Sequence, residues 1–363
     1  MWGVVPPQES RGGVSPTPGR PVPLLVTPPC TEQACSHTGA RLLRAHSDNR
    51  SDHVRTLTIT AVVTAAAAAT LAGCGNLTFG THQEDRSYSA PAGITALKIK
   101  SNGSRLELTA SDSPTVKVRE RLRWSNDKNK PEARHTIEGD TLSLSAKCAR
   151  ATIGYTRCGV TYRVEVPRDM AVDVDNADGS VVASGLTGAV KLHSDNGSMK
   201  VTDLRATSAS ISSDDGSIHV TGRATTADLN SDNGSINATG LTADRLTART
   251  DDGSIKLSGR ATVADVRTAN GSIDAGGLTT DRITAETSDG GIDLRLTTPP
   301  ANVHATSDNG SVHVRVPTSE GYAISVSSSN GAERIDSAVH QDSDSRHRIQ
   351  LRSANGSVTV SPA

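Results

Sequence analysis

Aromatic side chains are nearly absent from this sequence. Its 363 residues include one Phe, two Trp and four Tyr, and none of these falls between Tyr162 and Tyr322. Enzymes of the α/β classes fill cores and pockets with rings. Without rings the core must be thin and built from Ile, Val, Leu and Ala, and sugars cannot be bound by ring stacking over that stretch. An excess of one charge is lacking too, with 38 Lys and Arg against 39 Asp and Glu. No global field steers the chain toward anionic lipid or toward nucleic acid, and nucleic acid is not an expected partner. GxSxG, HExxH and Walker-type motifs do not occur, which removes the common nucleophile elbow, zinc helix and phosphate cradle. His193, His219, His304 and His313 fall in strand-like segments, no two of them at ligand spacing, and read as exposed strand residues. No catalytic residue and no cofactor are assigned, and the chain is not expected to be an enzyme.

Long apolar runs are also scarce. The clearest, residues 57–71 (LTITAVVTAAAAATL), follows Arg55. It is short for a membrane span and has the length of a signal-peptide core. It ends in Leu71-Ala72-Gly73-Cys74, which matches the lipobox of bacterial lipoproteins at all four positions. The implied chemistry is a diacylglyceryl thioether on Cys74, cleavage before that residue, and acyl chains such as palmitate holding the protein to the extracytoplasmic face of the cell membrane. Residues 1–53, rich in Pro, Ser and Arg, read as a disordered extension upstream of a start at Val54. Residues 54–73 read as the signal peptide and 74–90 as a polar tether. Removing residues 1–73 takes away six basic and four acidic residues and leaves 32 and 35.

What the chain does have is Gly, Ser, Thr, Asp and Asn in a fixed rhythm. From residue 170 to 363, turns align on Gly179, Gly197, Gly216, Gly234, Gly253, Gly271, Gly290, Gly310, Gly331 and Gly356. The first seven alternate in spacing between 18 and 19 residues, and the residue before the glycine alternates between Asp and Asn. This pattern points to duplication of a two-unit block. Apolar residues recur at period two, as in Ile218 and Val220 or Ile255 and Leu257, which marks strands with one buried face. An Asn-Gly turn by itself suggests a hairpin, because both residues tolerate positive φ. A single open antiparallel sheet of so many strands would curl or split, and propeller blades need about 40 residues each. The expected fold is therefore all-β: a parallel β-solenoid of about ten coils, each unit stacked on the next, roughly 45–50 Å long at about 4.8 Å per coil. Residues 91–169 read as an irregular β region capping its N-terminal end, and the looser repeats after Ala323 as the other cap.

Outside the cytoplasm, Cys148 and Cys158 can form a disulfide, stabilising the fold by about 2–3 kcal/mol. A metal or redox pair is the alternative, with no CxxC spacing or clustered His to favour it. The acidic residues before the turn glycines, Asp195, Asp214, Asp215, Asp232, Asp251 and Asp252, would stack in consecutive coils. Neighbouring carboxylates repel by about 1 kcal/mol per pair in water. Ca²⁺ between coils would relieve this, but the plainer reading is a solvated, salt-screened turn, since the GGxGxDxUx calcium repeat is absent.

Val164-Glu165-Val166-Pro167, then Val172-Asp173-Val174 and recurring S-x-N-G-S-I-x-V units, resemble a bacterial putative-adhesin family, a domain of unknown function. Val314-Arg315-Val316-Pro317, with Tyr322-Ala323-Ile324 and Asn330-Gly331, repeats the phrase. The resemblance covers residues 91–363 and implies a β-solenoid in the cell envelope, without catalytic residues to carry over. The expected function is a lipid-anchored, non-catalytic surface protein that binds or organises wall polymer or a surface protein. An accessory or sensor part in envelope-stress signalling is the alternative, and a carbohydrate-active β-helix enzyme the third.

Overall fold

The computed structural model describes residues 82–125, 127–148 and 157–363. The extension, the signal peptide and Cys74 lie outside the described residues. The strand pairings and the core of the described residues run from β1 to β22.

The period-two pattern becomes strands throughout. In the middle of the chain they are long and continuous: β11 (Met199–Ser213), β12 (Ile218–Ser231), β13 (Ile236–Thr250), β14 (Ile255–Asn270) and β15 (Ile273–Asp289). The numbering places β1–β10 before these and β16–β22 after them. Each long strand pairs with the next in parallel and in register, for example Leu229 with Ala248 and Ile236 with Ile255. Within each long strand the inward alternation breaks twice, at a bulged corner (Thr202-Asp203 in β11) and again further on (Thr207-Ser208), and the Ser-x-x-Gly turn joins one strand to the next. The result is a parallel solenoid around a core of Ile, Val, Leu and Ala.

The 18/19 alternation has a physical cause at the bulged corner. The corner column reads Leu204, Gly222, Leu241, Gly259 and Leu278 in successive coils. Coils with a leucine there carry one extra residue before it, and the register shifts at each of these points. A Cβ on Gly222 would collide with the backbone of Leu204, so a large residue in one coil demands glycine in the next. In β13 and β15 a neighbouring column compensates: Ala238 and Ala275 accompany the leucine corners, whereas Val220 and Leu257 accompany the glycine corners; in β11 Val201 stands before Leu204. The duplicated block is thus one coil with a filled corner and one with an empty corner, which keeps packing dense at every level.

The ends depart from simple stacking. At the N-terminal end, β2 (Ala96–Ser101) and β3 (Ser104–Ser111) form a coil directly beneath β8 (Ala171–Asn176) and β9 (Val181–Ser184). The later segment, β6 (Thr141–Lys147) and β7 (Cys158–Pro167), lies outside that coil, paired with β2 and β3. At the other end β17 (Asn302–Ser307) and β18 (Val312–Val316) are followed in space by β21 (Arg348–Ser353) and β22 (Val358–Pro362). The earlier segment, β19 (Ala323–Ser328) and β20 (Glu333–Ile335), is outermost. At each end the coils are therefore out of sequence order, and sequential stacking holds only for β8 to β18. Between these runs lie β10 (Val190–Ser194) and β16 (Ile292–Leu296).

Three expectations change. The solenoid begins before residue 170, because β2–β3 and β6–β7 are coils of the same stack; the region read as an irregular cap supplies two more levels. The true cap is antiparallel: β4 (Lys117–Trp124) on β7, β1 (His82–Ser89) on β4, and β5 (Glu132–Glu138) on β6. Residues 82–89, read as the end of a polar tether, are strand β1, whose alternate residues Glu84, Arg86 and Tyr88 turn inward. The polarity that suggested a tether instead serves a buried polar cluster.

Among the described residues, Tyr and Trp occur only where the stack ends. Tyr162 and Tyr322 are fully buried, one in the outermost N-terminal coil and one beside β19. A ring there has a coil on one side only and is not repeated against itself. Cys148 and Cys158 are joined in a disulfide with Cα atoms 5.7 Å apart.

Candidate functional site

The Ser-x-x-Gly turns stack into one straight edge, and its chemistry is mostly internal. From Gly197 onward the turn glycine does not use positive φ. It is glycine because a Cβ at Gly234 would strike the carbonyl oxygen of Gly216 in the coil below, and the same holds along the column. Close approach, not hairpin geometry, sets the residue.

Three residues before each glycine from Gly197 onward stands a hydroxyl, buried in every case but the half-buried Ser328. Ser231 Oγ donates to Gly216 O at 3.0 Å and accepts from the amide of Gly234 at 3.0 Å. Thr250, Thr268 and Thr287 donate in the same way to Gly234, Gly253 and Gly271 at 2.9, 2.9 and 3.0 Å. At the ends Ser353 bonds Gly310 O and Ser328 bonds Gly356 O, each at 2.8 Å, following the tucked order of the coils. Asn176 starts the ladder, its amide donating to Gly179 O and Ser104 O. The signal was available: a Ser or Thr recurs at a fixed offset before the glycine.

The Asp/Asn alternation is also a ladder. Asn196 donates to Asp178 at 2.8 Å, Asn233 to Asp215 at 2.6 Å, Asn270 to Asp252 at 2.6 Å and Asn309 to Asp289 at 2.8 Å. Asp215 and Asp252 are thus amide-bonded carboxylates, each separated from the next by an asparagine level. Among the candidate calcium ligands, only Asp195 and Asp214 fall into a group of three potential ligands among the described residues, and the third member is His193. His193, expected as an exposed strand residue, is half-buried. Its Nε2 lies 3.1 Å from Asp195 and its Nδ1 3.0 Å from Ser212 Oγ. Asp232 and Asp251 join no such group. Ca²⁺ prefers six to eight oxygens, and two half-open carboxylates with an imidazole supply a poor set.

The second concentration of polar groups is at the N-terminal cap. Glu120 is 3% exposed and accepts a hydrogen bond from the Tyr88 hydroxyl at 2.9 Å. Burial pushes its carboxyl pKa up, against the smaller opposing pull of that bond and of Arg86. Burial also pushes the Tyr88 and Tyr162 hydroxyls up, so both stay protonated. Glu84 is held below the usual carboxylate range by its bonds to Arg86 and Lys130. Tyr88 stacks on His135 with ring centroids 4.1 Å apart. The arrangement locks β1 onto the stack. Sequence period alone could not find it, because Glu120 occupies an inward strand position that usually holds an apolar residue.

Two shallow depressions lie on the array faces. One of about 630 Å³ opens where Gly276 and Gly277 leave a gap beside Arg295 and Arg315. The other, about 550 Å³, lies over Ala269 and Ser288, where the acidic column lapses. Both are wide open. Among the described residues no helix is long and apolar enough to cross a membrane.

The family model Toastrack DUF4097 matches residues 94–261 and again 223–361. No curated protein matches the chain. Among solved structures, a putative adhesin from Parabacteroides merdae is 16% identical with a TM-score of 0.43, covering 77% of this chain and 96% of its own. A putative adhesin from Bacteroides fragilis is 15% identical, TM-score 0.35, over 78% and 97%. A putative lipid binding protein from Parabacteroides distasonis is 12% identical, TM-score 0.36, over 77% and 96%.

Proposed function

The chain belongs to the Toastrack DUF4097 family, and from that premise we propose that it is a non-catalytic, adhesin-like scaffold, lipid-anchored through Cys74 on the extracytoplasmic face of the cell membrane. It offers the regular outer surface of its stacked coils to wall polymer or to a surface protein. One observation carries this reading: the array repeats the same rungs coil after coil, with its hydroxyls and amides engaged in holding the next coil. Such a body is a rigid, extended surface. Acid–base chemistry would call for a local departure from the repeat with convergent groups in a cleft. The principal departure, at Glu120 and Tyr88, is buried and bonded within the fold.

Two further points belong to the same reading. The disulfide between Cys148 and Cys158 fits an oxidising compartment. Calcium at Asp195 and Asp214 is not needed, and the melting temperature should be insensitive to millimolar Ca²⁺.

The test is binding of residues 75–363 to isolated cell envelopes, with wall polysaccharides incubated in parallel. Saturable binding without release of reducing ends is the expected result. Turnover of any wall polysaccharide would replace the scaffold by an enzyme, and absence of binding to wall, membrane and surface protein fractions would remove the scaffold reading altogether.

A further inference from the structure

The outer face of the N-terminal cap carries a dense row of cations. Strand β4 places Lys117, Arg119, Arg121 and Arg123 on its solvent side, with Val118, Glu120, Leu122 and Trp124 on the other. At two residues per outward position this row is about 20 Å long with a cation every ~7 Å. Arg163 on β7 and Arg105 on β3 extend it sideways, as the register of the three strands shows. The carboxylates on this face are Asp85, Glu107 and Glu165, and two of them are shared. Glu107 meets Arg163 at 2.7 Å and Arg105 at 3.3 Å, and Glu165 meets Lys117 at 3.5 Å and Arg119 at 3.9 Å. Asp85 is taken by Arg121 at 2.7 Å. Arg123 bonds only the neutral Gln83, at 3.3 Å. Six cations thus face three carboxylates.

The register makes the excess costly. Arg119 lies directly opposite Arg163 across the β4–β7 pair, and like charges in that position destabilise a sheet. Their side chains are 70% and 59% exposed. The groups line a shallow groove of about 640 Å³ that also reaches Arg86 and Ser87. Arginines also stand opposite one another in the array, Arg205 with Arg223, Arg249 with Arg267 and Arg295 with Arg315, so what sets the cap face apart is its six cations against three carboxylates, an excess that an external anion would balance.

We propose that this face docks on anionic phospholipid headgroups, laying the N-terminal cap against the membrane. The proposal rests on the anchor reading above for its choice of occupant. Cys74 lies eight residues before His82, the first residue of β1. Eight extended residues reach at most about 28 Å. An acylated Cys74 therefore keeps His82, which lies opposite Trp124 at the end of β4, within that distance of the headgroups. The field of an anionic leaflet acts over a Debye length, and each Lys or Arg near it strengthens binding about fivefold. The face binds weakly by itself; together with the acyl chains it fixes the orientation of the rod.

The test uses residues 75–363, which carry every described strand and lack the acyl group. Sedimentation is measured with phosphatidylcholine vesicles and with vesicles containing 30% phosphatidylglycerol, at low and high salt. Expected are binding to the anionic vesicles only, at least tenfold weaker at high salt, and about 25-fold weaker for the double variant Arg119→Gln, Arg123→Gln. The control pair Arg223→Gln, Arg260→Gln, exposed on the array, should bind like the parent. An unchanged melting temperature shows that the first pair folds. Equal binding to neutral vesicles, or full binding by the Arg119/Arg123 variant, would overturn the proposal. So would binding to soluble polyphosphate with none to vesicles, which would assign the face to a free polyanion. Failure of acylation at Cys74, read by mass spectrometry, would remove the anchor reading and leave the vesicle result standing.

Discussion

Replacing Ser231 by alanine removes two hydrogen bonds from one rung of the hydroxyl ladder. The Ser231 hydroxyl is 3% exposed in its residue, donates to Gly216 O and accepts from the Gly234 amide, each at 3.0 Å. Water has no route to replace it, so a buried carbonyl and a buried amide lose their partner. Leaving such groups unsatisfied costs about 1–3 kcal/mol. The methyl group that remains fits the space, so no cavity term adds to this. Ser231→Thr is the matched control, because Thr250 and Thr268 make the same bond one and two coils further on at 2.9 Å. It should change stability by less than about 0.5 kcal/mol. Urea unfolding gives the global value. A stack in which each coil touches only its neighbours can open locally, so hydrogen exchange at the Gly234 amide gives a second, local reading, and protection there should fall in Ser231→Ala alone. If Ser231→Ala leaves both stability and that amide unchanged, or if Ser231→Thr is equally damaging, the ladder does not hold the edge together.

Other outcomes follow from the same geometry. Glu120 has a raised carboxyl pKa, so its buried charge costs stability above that pKa, and the cost fades as pH falls toward 4.5. Glu120→Gln should therefore be more stable than the parent at pH 8 and converge with it near pH 4.5 in paired thermal melts. Serine at both Cys148 and Cys158 should lower stability by about 2–3 kcal/mol, and a reductant should do the same to the parent only. Asn233→Asp would replace an amide bonded to Asp215 at 2.6 Å by a carboxylate. A loss of about 1 kcal/mol at low salt is expected, largely recovered at 1 M salt.

The sequence made the architecture legible because a stacked coil writes its geometry into a short period. Glycine every 18 or 19 residues and alternating apolar positions were enough to call a parallel solenoid over a hairpin sheet. The reason for the glycine was not legible: positive φ and close backbone approach select the same residue, and only the position of the coil below separates them. The ends were misread for a related reason. Their strands repeat the phrase, but period carries no information about which coil lies next in space. Hence Gly331 and Gly356 exchange places in the stack, and β2–β3 slips beneath β8–β9. Residues 82–89 were too polar to look like a strand, since half of that polarity faces Glu120 and Tyr162 inside the cap. The cationic face was hidden by the balanced totals of 38 and 39 charges, which conceal local segregation.

The most direct test of the account is mass spectrometry of the mature N-terminus, with protease shaving of intact cells. The account predicts a first residue of Cys74 carrying a diacylglyceryl thioether and array peptides released from the outside. An unmodified Cys74 within a longer peptide, with the array protected until cells are lysed, would contradict it.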